Sequence, residues 1–137
     1  MIAALAGGLK IAPSRINLKA TTSEGMGFVG RREGIACWAV ATNNGRFVFV
    51  TNATSGSVSG YSLRQGQAEL LKADGKSAVT GAAPTDEAIS QNSQFLYTVN
   101  GGSHTISSFG VSQATGELTA AGAPASVPVG VVGIAAK

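Results

Sequence analysis

The residue best suited to general-base chemistry in this chain is its single histidine, His104. It lies in the stretch "GGSHT", directly after Ser103, and an imidazole gains and loses a proton near neutral pH. Two adjacent carboxylates, Asp86 and Glu87, could orient or charge that imidazole, or bind a divalent cation such as Ca²⁺ or Mg²⁺ together with Asn side chains. These three residues are the predicted catalytic groups of a hydrolytic site.

A second set of side chains could hold a substrate beside them. The predicted substrate-binding residues are Asn52, Asn100, Ser103 and Trp38. Simpler interpretations stay open: a lone His in a turn is often only solvated, and Asn at a strand end often caps a turn. Asp86 could bond nearby backbone amides, and Trp38 could pack with Cys37 at the start of a strand. The sequence alone leaves both interpretations standing.

The strands that must position these residues belong to a sequence repeat that occurs twice. "RFVFVTN" at residues 46–52 returns as "QFLYTVN" at residues 94–100, an offset of 48. The similarity extends over residues 43–63 and 91–111. Matched residues include Phe47 with Phe95, Asn52 with Asn100, Ser55 with Ser103 and Tyr61 with Phe109. Repetition at 20–50 residues is typical of stacked or radial architectures.

Each repeat contains four short β-runs separated by turn residues. The first reads "CWAVAT", "FVFVTN", "SVSGYSL" and "AELLKADG"; the second reads "DEAIS", "FLYTVN", "TISSFGV" and "LTAAGA". Only 12% of residues are charged and 19 are glycine, which favours strands and tight turns. Four antiparallel strands in about 45 residues predict a β-propeller blade, and the fold class is therefore all-β.

The words "NNGRFVFVTN…SGSVSGYSL" and "SQFLYTVN…SHTISSFGV…TGELTAAG" resemble the YVTN-type β-propellers of the lactonase family. These are related to the 6-phosphogluconolactonases, which use a seven-bladed propeller. The closing "PVGVVGIAA" resembles the family's C-terminal strand. The resemblance covers residues 35–137 and divides them into a first blade (35–84), a second blade (85–123) and the first strand of a third (124–137). Residues 1–34 match the family poorly, as a truncation or a shifted reading frame would produce.

The resemblance implies a hydrolase that opens a cyclic ester. Its substrate would be a sugar lactone or an acyl-homoserine lactone, the latter as in quorum quenching. Two alternatives remain: a non-catalytic binding or scaffold propeller, and an inactive fragment of a longer lactonase-family protein. The matching motifs are structural motifs of the strands, so no catalytic residue of the family can be assigned to this sequence from them.

About two and a half blades cannot close a ring, which takes at least four. The partial propeller is therefore expected to self-associate, completing a ring or covering its open faces. Within a blade, the loop between the second and third strands and the loop into the next blade emerge on one rim. The predicted rim consists of residues 37–38, 52–57, 75–87 and 100–105, and it contains every predicted site residue.

Charge argues against a nucleic-acid partner. The net charge of +3 arises in residues 1–36, while residues 37–137 hold five basic and five acidic residues. Cys37 is the only cysteine, which excludes an intrachain disulfide and a multi-cysteine metal site. No certain cofactor is indicated.

The first residues give no sign of a membrane partner. The apolar run in "MIAALAGGLKIAPS" is too short to cross a bilayer and lacks a preceding basic residue, so a cytoplasmic location is expected, with a periplasmic or secreted one open. "GMGFVG" at residues 25–30 satisfies G-x-G-x-x-G, but Gly34 interrupts a following helix and no acidic residue occurs between Glu33 and Glu69. A dinucleotide site needs both features.

Overall fold

The all-β prediction is confirmed. In the computed structural model, which describes residues 38–131 and 133–137, the chain forms ten strands in two antiparallel sheets. Trp38–Arg64 and Glu69–Lys137 form one compact unit, and Gln65–Ala68 fall outside it. None of the described residues is helical, and none belongs to a helix that could span a bilayer.

The first sheet is the first blade. It contains β1 (Ala39–Ala41), β2 (Phe47–Asn52), β3 (Ser57–Arg64), β4 (Gln67–Leu70) and β5 (Ala78–Val79) in the order β1-β2-β3-β4, with β5 also paired to β3. The turn between β1 and β2 uses Gly45 at a φ of +66°, a conformation that favours glycine. This matches the "NNGR" turn expected from the sequence.

The second sheet repeats the first. It contains β6 (Pro84–Ile89), β7 (Phe95–Asn100), β8 (Thr105–Val111), β9 (Leu118–Ala120) and β10 (Ala125–Ser126) in the order β10-β8-β7-β6, with β9 also paired to β8. Strands β7 and β8 begin at residues 95 and 105, each 48 positions after β2 and β3. The sequence repeat is thus a repeat of sheets, and each sheet adds a fifth, two-residue strand that the sequence did not predict.

The core lies between the two sheets. Its buried members are Phe47, Phe49, Val58, Leu96, Phe109, Val111 and Leu118. Because strand side chains alternate between faces, the first blade contributes the odd-numbered residues of β2, and the second contributes the even-numbered residues of β7. We call the side of a blade that carries the odd-numbered residues of β2 its back face, and the side that carries the even-numbered residues of β7 its front face. Because the offset of 48 is even, the odd-numbered residues of β7 also lie on the back face and the even-numbered residues of β2 on the front face. The back of one blade packs on the front of the next.

The end of the blades away from the rim is joined by polar contacts. The Arg46 guanidinium donates to the carbonyl oxygens of Gln113 and Ala114, both at 3.1 Å. The Asn43 amide N–H donates to Ser93 Oγ at 2.9 Å, and the Asn43 side chain donates to the Gln91 carbonyl. These bonds fix the register of the first blade on the second.

The predicted first strand of a third blade is not formed in the described part of residues 124–137. Residues 125–126 instead make β10 on the edge of β8, and residues 127–131 and 133–137 contain no strand. The Ile134 amide N–H donates to Asp86 Oδ2 at 2.9 Å, which places the tail beside β6. A strand needs a hydrogen-bonded neighbour, and no strand described here pairs with this segment.

Candidate functional site

Three loops meet at one end of the two blades, as the rim prediction required. The amides of Gly101 and Gly102 donate to the carbonyls of Ala83 and Ala82 at 2.9 and 3.0 Å. The Thr80 amide donates to the Gly56 carbonyl at 2.8 Å. The loop into the second blade therefore lies against the tight turns after β2 and β7.

His104 is exposed at the tip of the turn between β7 and β8. Its backbone is left-handed, with a φ of +53°, and its repeat equivalent in the first blade is Gly56, with a φ of +56°. This conformation costs a non-glycine residue about 1 kcal/mol, and such strain often marks functional positions. The turn geometry calls for glycine, and the second blade places the chain's single imidazole there.

A hydroxyl and amide network lies next to His104. Asn100 Nδ2 donates to Thr105 Oγ1 at 3.1 Å and to Ser107 Oγ at 2.9 Å, and Asn100 Oδ1 accepts from Thr98 Oγ1 at 3.1 Å. The hydroxyls of Ser103 and Thr105 are 2.9 Å apart. Of the residues in this network, Ser103 is exposed and carries a hydroxyl that a ligand on the rim could reach.

Gly81 lies close over this network. A Cβ at Gly81 would collide with Ser103 Oγ and would lie 2.8 Å from Thr105 Oγ1. The loop can approach the network so closely only because residue 81 has no side chain.

Asn100 is fully buried, and the structure gives its amide an internal role rather than one open to a substrate. Replacing Asn100 with Ala should lower the free energy of unfolding by about 2–3 kcal/mol, because the amide makes three side-chain bonds and its hydroxyl partners lose theirs. Denaturant unfolding measures the effect. The matched control is Asn52→Ala at the equivalent, half-buried position, where the side chain donates one bond to Ser59 Oγ at 2.9 Å. An equal loss in both variants would contradict the assigned role.

The two predicted carboxylates point away from each other. Asp86 and Glu87 are neighbours on β6, so their side chains leave opposite faces of the sheet. Asp86 is half-buried on the back face, where it accepts from Ile134. Glu87 is 5% exposed on the front face, between the blades. They cannot hold one cation together, and the described residues contain no group of three His, Cys, Asp or Glu side chains suited to a metal.

Glu87 is buried without a partner. Neither carboxylate oxygen has a hydrogen-bond partner, and the buried Thr51 Oγ1 on the first blade has none either. Burial raises the pKa of Glu87 from 4.5 to about 8, against the lowering effect of the nearby Thr51 backbone and with a further increase from the Asp86 charge. At neutral pH the side chain is mainly a neutral carboxylic acid.

The structure does not assemble His104 with these carboxylates. Strand β7 lies between β6 and β8, so the strand that carries Asp86 is about 10 Å, two strand spacings, from the strand that follows His104. Glu87 faces the inter-blade core instead of the rim. The prediction of a joint His104, Asp86 and Glu87 site therefore does not match the geometry of these two blades.

The remaining predicted residues lie at the rim end of the first blade. Trp38 directly precedes β1, whose first residue pairs with Val50, and it is 42% exposed. Asn52 ends β2 and is half-buried. Cys37 and the G-x-G-x-x-G segment at residues 25–30 lie outside the described residues.

One residue that the sequence interpretation missed is Thr51. The signal was present in the alternation of Phe47, Phe49 and Thr51, which puts all three on the back face, opposite Glu87. A shallow cleft of about 160 Å³ lies elsewhere, lined by Leu71, Lys72, Ser77, Thr115, Gly116, Glu117 and Leu118. It sits beyond the far end of β8 from His104 and contains none of the predicted site residues.

Comparison with known proteins divides the chain into two parts. The model of the YgbB family matches residues 1–44. A bifunctional IspD/IspF enzyme of Anaeromyxobacter dehalogenans is 63% identical over 41 residues, which are 30% of this chain and 11% of that protein. A 2-C-methyl-D-erythritol 2,4-cyclodiphosphate synthase of Syntrophus aciditrophicus is 65% identical over 37 residues, 27% of this chain and 23% of that protein.

The chain thus spans between a tenth and a quarter of the length of these curated relatives. The N-terminal segment is therefore similar to a different family from the one that the blade repeat resembles. The match also passes the predicted boundary at residue 34 and includes β1, which pairs with β2 of the first blade.

Several solved structures resemble this chain in fold. A protein from Lactobacillus plantarum gives a TM-score of 0.61 at 18% identity, covering 69% of this chain and 27% of that one. The periplasmic gluconolactonase of Pseudomonas aeruginosa gives a TM-score of 0.55 at 19% identity, and the match covers 69% of this chain and 28% of that one. A candidate 6-phosphogluconolactonase of Bacteroides uniformis gives a TM-score of 0.56 at 14% identity, and the match covers 80% of this chain and 31% of that one. The fold of the described residues is therefore that of a partial, lactonase-like β-propeller.

Proposed function

We propose that the propeller blades belong to a lactone hydrolase that opens a sugar lactone or an acyl-homoserine lactone, with His104 as the general base on the rim. The observation that carries this proposal is the exposed imidazole at a left-handed position where the other blade has Gly56. The gluconolactonase among the structural neighbours supports it at the level of the fold.

The chemistry follows from the groups beside His104. The imidazole would take a proton from a water that attacks the ester carbonyl, and the exposed Ser103 hydroxyl would donate a hydrogen bond to the carbonyl oxygen as negative charge develops there. The ring C–O bond would then break, and the imidazolium would return its proton to the leaving ring oxygen. Asp86 is oriented towards the tail and Glu87 towards the core, so a group that orients His104 would have to come from a further blade. Alternatively, a divalent cation bound on the rim would stabilise the negative charge on the carbonyl oxygen.

A non-catalytic scaffold is the second candidate. The observation that favours it is the separation of His104 from both carboxylates across β7. The buried, neutral Glu87 would then be a structural residue between two blades of a binding module.

Replacing His104 with Gly tests the first proposal without straining the turn. We expect turnover of glucono-lactone and of an acyl-homoserine lactone to fall 10²–10⁴-fold, the usual contribution of a general base. The free energy of unfolding should rise by up to about 1 kcal/mol, because glycine adopts the left-handed conformation freely. Loss of activity together with a gain in stability would separate a chemical role from a folding role.

The matched control is Gln65→Gly, which relieves a left-handed φ of +49° in the turn between β3 and β4, away from the rim. It should leave turnover unchanged. Unchanged turnover in the His104→Gly variant would remove His104 from the mechanism, and no turnover of any lactone by the natural chain would favour the scaffold. Activity that is lost in chelator and restored by Ca²⁺ or Mg²⁺ would support the cation, whereas full activity in chelator would exclude it.

A further inference from the structure

The two outer sheet faces of the blades are equivalent to the two faces that already pack against each other between the blades. The back face of the first blade packs on the front face of the second. The back face of the second blade and the front face of the first have no such blade against them within the described residues. We propose that a second copy of the chain docks its first blade on the second blade of its neighbour, repeating the internal contact; this proposal does not depend on lactone hydrolysis.

The outer back face has the apolar character of the inner one. On the inner face the residues are Phe47, Phe49, Thr51 and Val58, and their equivalents 48 positions later are Phe95, Tyr97, Val99 and Ile106. Phe47 is 3% exposed and Phe95 is 40% exposed. Val99, on the same outer face, is already fully buried, so the open part of this face is centred on Phe95, where a further blade would cover the ring. The Phe95 and Tyr97 rings stack with centroids 6.4 Å apart.

The outer front face matches as well. The second blade meets the first with Leu96, Thr98, Phe109 and Val111, and the equivalents in the first blade are Val48, Val50, Tyr61 and Leu63. All four of these equivalents are half-buried. Val50 and Leu63 are more apolar or larger than their equivalents Thr98 and Val111, whereas Val48 is smaller than Leu96 and Tyr61 adds a hydroxyl to the ring of Phe109. The face as a whole stays apolar, so the docked faces would exclude water as the internal ones do.

The internal contact has one unfavourable pair that the docked contact lacks. Between the blades, the hydroxyl of Thr51 and the carboxyl of Glu87 are buried without partners. Their equivalents across the docked faces are Val99 of one copy and Ala39 of the next. At this one position the contact between copies has no unpartnered polar pair. Asp86, on the same outer back face, loses its bond from Ile134 when the tail moves, and that loss opposes docking.

One of the polar contacts at the end opposite the rim can also be repeated; the bond to Ser93 cannot, because the equivalent residue is Gly45. Internally, Asn43 bonds Gln91 and Ser93. In the docked pair, Gln91 of one copy would meet Asn43 of the next, because the two positions are equivalent. Gln94 stands where the first blade has Arg46, so the guanidinium contact would be replaced by an amide.

The tail beside β6 must give way to the incoming first blade. The described hydrogen bond that holds it joins the Ile134 amide N–H to Asp86 Oδ2 at 2.9 Å. In exchange, the incoming blade would cover the Phe95 ring, which is 40% exposed with the tail in place. Because the docked surfaces differ, the contact is head-to-tail and closes into a ring only at the right rotation. Propellers have four to eight blades, so copies that each supply the two blades described here predict a ring of two to four copies.

Light scattering of the full chain and a cysteine cross-link test the proposal. We expect a mass of two to four copies, and expect Phe95→Arg to shift it to one copy while the control Ala53→Arg, in an exposed loop, does not. In a Cys37→Ser background, a Gln91→Cys chain mixed with an Asn43→Cys chain should form a disulfide-linked pair. The same Gln91→Cys chain mixed with an Ala53→Cys chain, whose thiol lies at the opposite end of the blade, should not.

A single-copy mass at high micromolar concentration would overturn the proposal. So would an oligomer that links Gln91→Cys equally well to both partner chains, since that would show contact through other surfaces. The cross-link needs no substitution within the sheet faces, so misfolding of the Phe95→Arg variant would leave the test intact.

Discussion

Replacing Glu87 with Gln is expected to stabilise the fold by on the order of 4 kcal/mol at pH 8. The carboxyl is 5% exposed, has no hydrogen-bond partner, and has a pKa raised to about 8 by burial. At 1.36 kcal/mol per pKa unit, the difference from 4.5 gives this magnitude. Gln keeps the shape of the side chain but cannot ionise. The unfolded state therefore no longer gains stability over the folded state by ionising residue 87.

The pH dependence has a definite sign. Between pH 4.5 and about 8 the folded state binds more protons at Glu87 than the unfolded state, so stability falls as pH rises through this window. Below the window both states are protonated, and Glu87 carries no penalty. Above it both are ionised, and the penalty is constant. The natural chain should therefore lose stability from pH 5 to pH 8, and the Glu87→Gln variant should lose much less.

Urea unfolding at both pH values and at one fixed protein concentration measures this difference, since association would make stability depend on concentration. Glu69→Gln is the matched control, because Glu69 is exposed on β4 and its replacement should not change the pH dependence. If the natural chain and the Glu87→Gln variant lost the same stability between pH 5 and pH 8, Glu87 would not be the buried titrating group.

Replacing Leu96 with Ala should destabilise the fold by about 2–5 kcal/mol, the usual range for a buried leucine. Leu96 is 0% exposed on the front face of the second blade, in the same core as Phe49 of the first blade. The loss combines the apolar surface no longer buried with the cavity left between the sheets. Both terms arise at the contact between the blades.

The same substitution at Leu70 provides the control. Leu70 ends β4 and is 48% exposed, so Leu70→Ala should cost well under half as much. Denaturant midpoints with unchanged slopes would show that the difference is one of stability. Equal losses at the two positions would mean that the two sheets do not share the core described here.

Much of the fold could be predicted from the sequence because strand periodicity and turn chemistry are local. The alternation in "FVFVTN" and the "NNGR" turn give β2 and its preceding turn, and the offset of 48 relates β2 to β7 without any knowledge of packing. The two-residue strands β5 and β10 escaped prediction because a strand of that length has no periodicity. The tail at residues 128–136 has strand-like residues, yet a strand also requires a neighbour, which a local pattern cannot reveal.

The candidate site was predictable in its location but not in its chemistry. By itself, the sequence determined the blade repeat, the rim on which the loops meet, and the position of the single imidazole at residue 104. Only the tertiary structure decided which of the neighbours Asp86 and Glu87 is buried between the blades, and that Asn100 is fully buried. It also decided that a carboxyl expected on the rim lies between two sheets. The physical reason is that adjacent strand residues take opposite faces, and which face is buried depends on the sheet that packs against it.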